Sequence, residues 1–191
     1  MTQHNPNGSA KDVVGILTTD HQEMMALAGQ IKGSNDPQWR RDMADTLIAE
    51  VMRHAVAEEM YVYPAIEKYI PNGTEEVEHD KQEHDEIVQV MKQLEDCNAV
   101  DPVFMAQLEK LEGLLSHHAD DEESQQFPKM RTHMSSDQLI ELGEKVEQAK
   151  TLAPTRPHPS APHSELFHKS VGAGVGMVDR LRDKLTGRKT K

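Results

Sequence analysis

The pattern of apolar positions along the chain predicts an all-α protein. Apolar residues recur at three- and four-residue spacing, which is one face of a helix, in four long segments. Short breaks rich in glycine, proline and asparagine separate these segments, which cover residues 11–32, 37–71, 74–97 and 101–127. Because short connections force consecutive helices to run antiparallel, the predicted architecture is an up-down four-helix bundle.

Further segments flank the predicted bundle. Residues 136–150 carry apolar residues at helical spacing and predict a short fifth helix that caps the bundle, so the folded domain is expected to span residues 11–150. Residues 1–10 are expected to be disordered. Residues 151–191 join a proline-rich linker to a basic tail of net charge +4 and are expected to be flexible.

The predicted helix boundaries rest on capping and proline signals. Asp101 followed by Pro102 indicates the start of the fourth helix, and Thr74 is expected to cap the third. Pro64 lies inside the second segment. Because proline has no N–H and its ring clashes with the preceding turn, we expect the second helix to kink or pause there.

The charge and cysteine content exclude several classes of protein. With 33 acidic and 21 basic side chains, the chain has a net charge of -12, which repels nucleic acid and anionic membrane surfaces. The single cysteine, Cys97, excludes an internal disulfide framework and suits a reducing compartment. No stretch approaches the roughly 20 apolar residues of a spanning helix. We therefore expect a cytoplasmic protein whose partners are small molecules.

An internal duplication relates the two halves of the bundle. The segment RHAVAEEMYVYP at residues 53–64 recurs as HHADDEESQQFP at residues 117–128, an offset of 64. The segment DHQEMM at residues 20–25 resembles EHDEIV at residues 83–88, an offset of 63. The third and fourth helices therefore repeat the first and second, and the two hairpins are expected to be related by an approximate two-fold axis.

Six ionisable side chains share the apolar faces of these helices: His21, His54, Glu58, His84, His118 and Glu122. Burying two ionised carboxylates without partners would cost several kcal/mol each. Imidazole suits iron, zinc, copper or nickel, and a carboxylate can bridge two cations while it neutralises them. The sequence therefore predicts a buried pair of metal ions, whose identity the spacing leaves open.

The order of these motifs resembles that of the haemerythrin-like proteins, also called the HHE cation-binding family, over residues 11–150. Shared features are a lone histidine followed by His-x-x-x-Glu, repeated once, with an aromatic-proline pair after each Glu-Glu. The resemblance implies a non-haem di-iron centre of two iron ions joined by an oxo or hydroxo bridge. It also implies that Glu58 and Glu122 bridge the irons and that the four histidines are terminal ligands.

The third helix departs from the pattern of the oxygen-carrying haemerythrins. Those proteins have two histidines four residues apart, whereas this chain has Asp80 four residues before His84. One fewer histidine would leave a coordination position for water, peroxide or another donor. Tyr61 is the candidate for that role, either as a ligand or as a hydrogen-bonding neighbour of the bridge; the alternative is an ordinary core residue.

The fourth helix also departs from the carrier pattern. The carriers' longer spacing between histidine and carboxylate would select His117 as the ligand. The internal repeat and the helical phase both favour His118 instead.

The family resemblance leaves two classes of function. The first is a catalase- or peroxidase-like oxidoreductase that reacts with dioxygen species, most concretely by decomposing H2O2 in defence against oxidative or nitrosative stress. The second is a protein that reversibly binds or senses O2 or NO without turnover, or that stores iron.

Overall fold

The computed structural model describes residues 12–159 and 173–190. Those residues form α-helices and two π-helical turns, and none of them lies in a β-strand. The helices are α1 (Val13–Gly33), α2 (Pro37–Ala57), α3 (Tyr63–Tyr69), α4 (Gly73–Asp96), α5 (Pro102–Asp121), α6 (Phe127–His133), α7 (Ser136–Leu152) and α8 (Ala173–Thr186). The π-helical turns are π1 (Glu58–Val62), between α2 and α3, and π2 (Glu122–Gln126), between α5 and α6.

Four long helical rods form the bundle, which confirms the predicted fold class. The first hairpin pairs α1 with α2–π1–α3, and the second pairs α4 with α5–π2–α6. Across the bundle, α1 packs against α5 and α2 packs against α4. Helix α7 lies against both α1 and α2, as a cap. None of the helices in the described ranges combines the length and apolar character that crossing a membrane requires.

The helix starts follow the capping signals except at α4. Asp101 caps α5 by accepting a hydrogen bond from Val103 N–H at 2.9 Å, as predicted. The predicted cap at Thr74 is wrong, because α4 begins at Gly73 after Asn72, whose φ is 61°. A Cβ at position 73 would lie 2.3 Å from the carbonyl oxygen of Ile66, so only glycine fits there.

Each π-helical turn ends two residues before the proline of its repeat, Pro64 or Pro128. In π1 the N–H of Tyr63 bonds to the carbonyl of Glu58, and in π2 the N–H of Phe127 bonds to the carbonyl of Glu122. The next residue in each case is proline, which has no N–H to continue the α-helical ladder. The predicted interruption near Pro64 is therefore a widened turn, and it brings residues five apart onto the same face.

The C-terminal residues differ from the expected flexible tail. Residues 173–186 form α8, and Gly176 lies so close to the carbonyl oxygens of Leu152 and Ala153 that a Cβ would be 2.3 Å from the first. Arg188 forms ion pairs with Asp45 at 3.2 Å and Glu95 at 3.0 Å. The opposite charges of tail and bundle account for this contact. The expected disorder at residues 1–10, and the parts of the expected linker and tail at residues 160–172, lie outside the described residues.

Candidate metal centre

All six side chains singled out by the sequence lie buried in the bundle. Their relative exposure ranges from 0 to 4%, and they come from all four rods: His21 from α1, His54 and Glu58 from α2 and π1, His84 from α4, and His118 and Glu122 from α5 and π2. Each histidine keeps to the apolar face of its helix, which is why the helical phase brings them together.

One half of the cluster, here called subsite A, is formed around the imidazoles of the first hairpin. The Nε2 atoms of His21 and His54 lie 3.1 Å apart. Oε1 of Glu58 lies 3.1 Å from His54 Nε2, and Oε2 of Glu122 lies 3.3 Å from His21 Nε2. Subsite A therefore collects two nitrogens and two carboxylate oxygens.

The other half, subsite B, is formed around the imidazoles of the second hairpin. The Nε2 atoms of His84 and His118 lie 3.3 Å apart. The second oxygen of Glu58 lies 3.4 Å from His84 Nε2, and the second oxygen of Glu122 lies 3.6 Å from His118 Nε2. Each carboxylate thus directs one oxygen to each subsite, which is the arrangement of a bridging ligand.

The four carboxylate oxygens at the centre have no ordinary hydrogen-bond partner. Both oxygens of Glu58 and both oxygens of Glu122 are buried and accept no hydrogen bond from any described residue. A buried carboxylate in that condition is costly unless a cation compensates it. The cluster can therefore hold metal ions, and its six residues form two connected groups of potential ligands.

The distances between imidazole nitrogens also fit metal ligation. Two nitrogens about 2.1 Å from one ion, at ligand angles of roughly 90 to 110°, lie about 3.0 to 3.4 Å apart. The paired Nε2 atoms are separated by 3.1 Å and 3.3 Å, within that range.

A carboxylate lies at the outer nitrogen of every imidazole. The Nδ1 contacts are His21 to Glu123 at 2.8 Å, His84 to Glu59 at 3.0 Å, His54 to Asp20 at 3.3 Å, and His118 to Glu83 at 2.8 Å. An outer carboxylate holds the proton of the ring on Nδ1, which leaves the Nε2 lone pair free for a metal. Glu59 and Glu123 therefore each support a histidine of the cluster.

Sequence reasoning missed Asp20 and Glu83, although the repeat contains the signal for them. Each directly precedes the lone histidine of its hairpin, and each reaches the histidine on the neighbouring helix of that hairpin. A carboxylate at the same position in both copies is the feature that would have identified them.

The hydroxyl that reaches the imidazoles belongs to Tyr63. Its oxygen lies 3.1 Å from His84 Nε2, and the side chain is 1% exposed. The predicted candidate, Tyr61, is half-buried and packs at the margin of the hydrophobic core. Because π1 widens the turn, the residue five positions after Glu58 takes the place that an uninterrupted α-helix would give to a residue three or four positions after it.

Asp80 lies on α4 one turn before His84. It is 1% exposed, and both of its oxygens accept hydrogen bonds from the amide of Gln126, at 2.9 and 2.7 Å. Burial and the charge of Glu122 raise the pKa of Asp80 to about 7. Asp80 therefore lies inside the bundle, beside subsite B.

The carboxylates raise the pKa values of the central histidines. Burial would lower the pKa of His54, but Glu58 and Asp20 raise it to about 10. Burial would also lower the pKa of His118, yet the charge of Glu122 and the hydrogen bond to Glu83 hold that pKa well above the ordinary value. Binding a metal at these nitrogens must therefore release protons.

The two adjacent histidines of α5 point in different directions. His118 is 3% exposed and faces subsite B, whereas the side chain of His117 is 65% exposed. The structure thus brings His118 to the cluster and leaves His117 at the surface.

Comparison with known proteins gives a consistent family match. The family described as "Hemerythrin HHE cation binding domain" matches residues 12–130. A hemerythrin-like protein of Schizosaccharomyces pombe is 31% identical over 165 residues, covering 86% of this chain and 81% of that protein. A DNA nickase of Nostoc is 24% identical over 164 residues, and the match covers 86% of this chain and 44% of the nickase.

A solved structure shares the fold. The crystal structure of a hemerythrin HHE cation-binding-domain protein from Mycobacterium kansasii superposes with a TM-score of 0.64 at 21% identity, covering 88% of this chain and 99% of that one. The family match covers most of the bundle, and the buried His/Glu cluster can hold a metal. The chain belongs to the hemerythrin HHE cation-binding domain family.

Proposed function

We propose that this chain is a non-haem di-iron protein that decomposes hydrogen peroxide, with His21, His54, His84 and His118 as terminal ligands and Glu58 and Glu122 as bridges. One observation carries the proposal: the four buried carboxylate oxygens without hydrogen-bond partners face the Nε2 atoms of four imidazoles. Two divalent cations shared between two carboxylates would satisfy all four oxygens.

The donor set of each subsite supports iron. Two imidazole nitrogens and two carboxylate oxygens give mixed nitrogen and oxygen ligation, with positions left over for an ion that prefers six ligands. When bound, the two irons supply the exchange of electrons by which two peroxide molecules become one O2 and two H2O, one peroxide being oxidised and the other reduced. Both bridging carboxylates would remain ionised to offset the metal charge.

The surroundings of subsite B favour it as the place where substrate enters the centre. Tyr63 directs a hydroxyl at His84 Nε2, 3.1 Å away, and Asp80 lies one turn before that histidine. With its pKa raised to about 7, Asp80 can hold or release a proton at neutral pH, on the oxygens that accept from Gln126. Tyr63, Asp80 and Gln126 would orient a small polar substrate and move its protons.

Small molecules, namely O2, H2O2 or NO, are the proposed partners, and stress defence in the cytoplasm is the proposed setting. The Nostoc relative is a DNA nickase, but it is 24% identical and this chain spans 44% of its length. A net charge of -12 disfavours a nucleic-acid partner here.

The test is metal content and an optical spectrum of the protein as isolated, followed by addition of peroxide and measurement of evolved O2. We expect two irons per chain and O2 evolution well above that of the same amount of free iron. Full iron occupancy without such turnover would remove the enzymatic proposal. A stable, reversible spectral change with O2 would then assign the centre to binding.

A further inference from the structure

A second group of imidazoles and carboxylates lies at the surface above subsite B. His79 Nε2 is 3.5 Å from Oε1 of Glu83 and 3.9 Å from Oδ2 of Asp121. His117 Nε2 lies 3.5 Å and 3.8 Å from the same two oxygens. Both carboxylates thus face both imidazoles, and these four residues are here called the surface cluster.

The geometry of the surface cluster suits a cation better than it suits hydrogen bonds. Most of its nitrogen–oxygen separations exceed the range of a good hydrogen bond, and the side chains of His79 and His117 are 59% and 65% exposed. Potential ligand atoms of His79, Glu83 and Asp121 all lie within 4.8 Å of one another, and Nε2 of His117 lies 3.5 Å from Oε1 of Glu83 and 3.8 Å from Oδ2 of Asp121. Mixed imidazole and carboxylate donors select divalent transition metals.

The duplication supplies a second, independent observation. The residue equivalent to Glu83 in the first hairpin is Asp20, and it already holds a cation: both of its oxygens accept hydrogen bonds from the ammonium group of Lys150, at 2.7 and 2.8 Å. At Glu83 the corresponding partners are the imidazoles of the surface cluster. A cation between the imidazoles and carboxylates would complete the equivalent charge pairing.

The surface cluster also connects to the buried centre. The other oxygen of Glu83 accepts a hydrogen bond from Nδ1 of His118, at 2.8 Å. Asp80 joins Glu83 and His118 in a further group of potential ligands within 4.8 Å. A surface depression of about 320 Å³ runs beside His79 and Asp121 and reaches Asp80. Glu83 belongs to both the surface cluster and the group with Asp80, and His118 belongs to both that group and subsite B. Potential ligands therefore continue without a break from the surface to subsite B.

We propose that His79, Glu83, His117 and Asp121 capture a divalent transition-metal ion at the surface and pass it by way of Asp80 to subsite B. The existence of the surface site is independent of the function proposed above, whereas the delivery step rests on it. Each transfer moves the ion between ligand groups without any change of oxidation state.

The experiment compares the chelator-treated full chain with the double variant His79→Ala/His117→Ala. Both histidines are exposed, so the change leaves the core intact, whereas Glu83 is retained because it also supports His118. In equilibrium dialysis against Co²⁺ we expect three bound ions per wild-type chain and two per double-variant chain. Followed by the absorption of Co²⁺ in the buried centre, loading should slow by about tenfold, the loss expected when local capture is removed.

His133→Ala, which removes an exposed histidine of α6, is the matched control and should behave as wild type. Equal numbers of bound ions in wild type and double variant would overturn the surface site, and equal loading rates would overturn its delivery role. A chain that binds one Co²⁺ and loses it in the double variant supports the surface site and instead contradicts the buried pair.

Discussion

Subsites A and B have the same donors but different neighbours. Beside subsite B lie three polar groups, which are Tyr63, Asp80 and Gln126. The repeat places apolar residues at all three corresponding positions, which are Phe127, Leu17 and Val62, each 3% exposed or less. Phe127 stacks parallel to His21, with 6.1 Å between ring centroids. The three corresponding positions beside subsite A are therefore hydrocarbon, whereas those beside subsite B carry groups that can bind water and exchange protons.

This difference separates what the duplication preserved from what it altered. The histidines, their following glutamates and their outer carboxylates occur in both hairpins. Polar groups at the positions of Tyr63, Asp80 and Gln126 occur in one copy only. We infer that, in the proposed centre, subsite A would hold an ion in a structural role and subsite B would be the reactive side.

The largest effect is expected from removing a bridging carboxylate. Glu58→Gln and Glu122→Gln should each lower the affinity for the metal pair by more than about 100-fold, since loss of mere outer-shell partners already costs 10- to 100-fold. Because each carboxylate serves both subsites, the two losses should be similar. Metal content after dialysis measures this, with the exposed Glu86→Gln as control. A much smaller loss in one variant would contradict a shared bridge.

A smaller effect is expected from substituting Tyr63 and Phe127, the aromatic residues at corresponding positions of the two repeats. Tyr63→Phe removes the hydroxyl at His84 and should lower peroxide turnover about 10- to 100-fold at unchanged iron content. Phe127→Tyr adds a hydroxyl beside His21, where we expect turnover within about twofold of wild type and a loss of about 1 to 3 kcal/mol in the free energy of unfolding. Initial rates of O2 evolution and thermal melts give both quantities. Equal loss of turnover in the two variants would make the subsites equivalent.

The site was predictable from the sequence as far as the α-helical period holds. His21, His54, His84 and His118 fall on apolar stripes, and Glu58 and Glu122 follow by one α-helical turn; the structure brings all six together. The choice of Tyr61 from the sequence assumes an unbroken α-helical period, whereas the period changes at π1, which starts at Glu58. Proline in the sequence predicts an interruption, but not that one residue is inserted before it, and that insertion decides which tyrosine faces the centre.

Long-range pairing was the second limit on sequence prediction. Contacts such as Arg188 with Asp45 join residues from opposite ends of the chain, and helical spacing carries no information about them. The opposite charges of the bundle and the tail do not identify which residues pair. The hydrogen bond between Asp80 and Gln126 is beyond helical spacing for the same reason, because Gln126 lies on the other rod of the hairpin.

The next effect concerns stability and depends on pH. The pKa of Asp80 is raised to about 7, so folding favours its protonated form, and the stability cost of ionising it grows as pH rises from the unfolded-state pKa, near 4, through about 7. Asp80→Asn keeps an acceptor for Gln126 and removes this cost. Metal-free Asp80→Asn should therefore gain about 1 to 3 kcal/mol over wild type at pH 8 and little at pH 4. Denaturant titrations at both pH values check this, and a pH-independent difference would contradict it.

The smallest effect is expected among the outer carboxylates, where the two subsites differ in solvation. Glu59 is 5% exposed at its side chain and holds His84 of subsite B, whereas Glu123 is 40% exposed and holds His21 of subsite A. Because a buried hydrogen bond to a charged group is worth more than a solvated one, Glu59→Gln should lower metal affinity about tenfold and Glu123→Gln about two- to threefold. Competition with a chromophoric chelator resolves such differences. The reverse order would contradict this ranking, because the exposed carboxylate would then contribute more to metal affinity than the buried one.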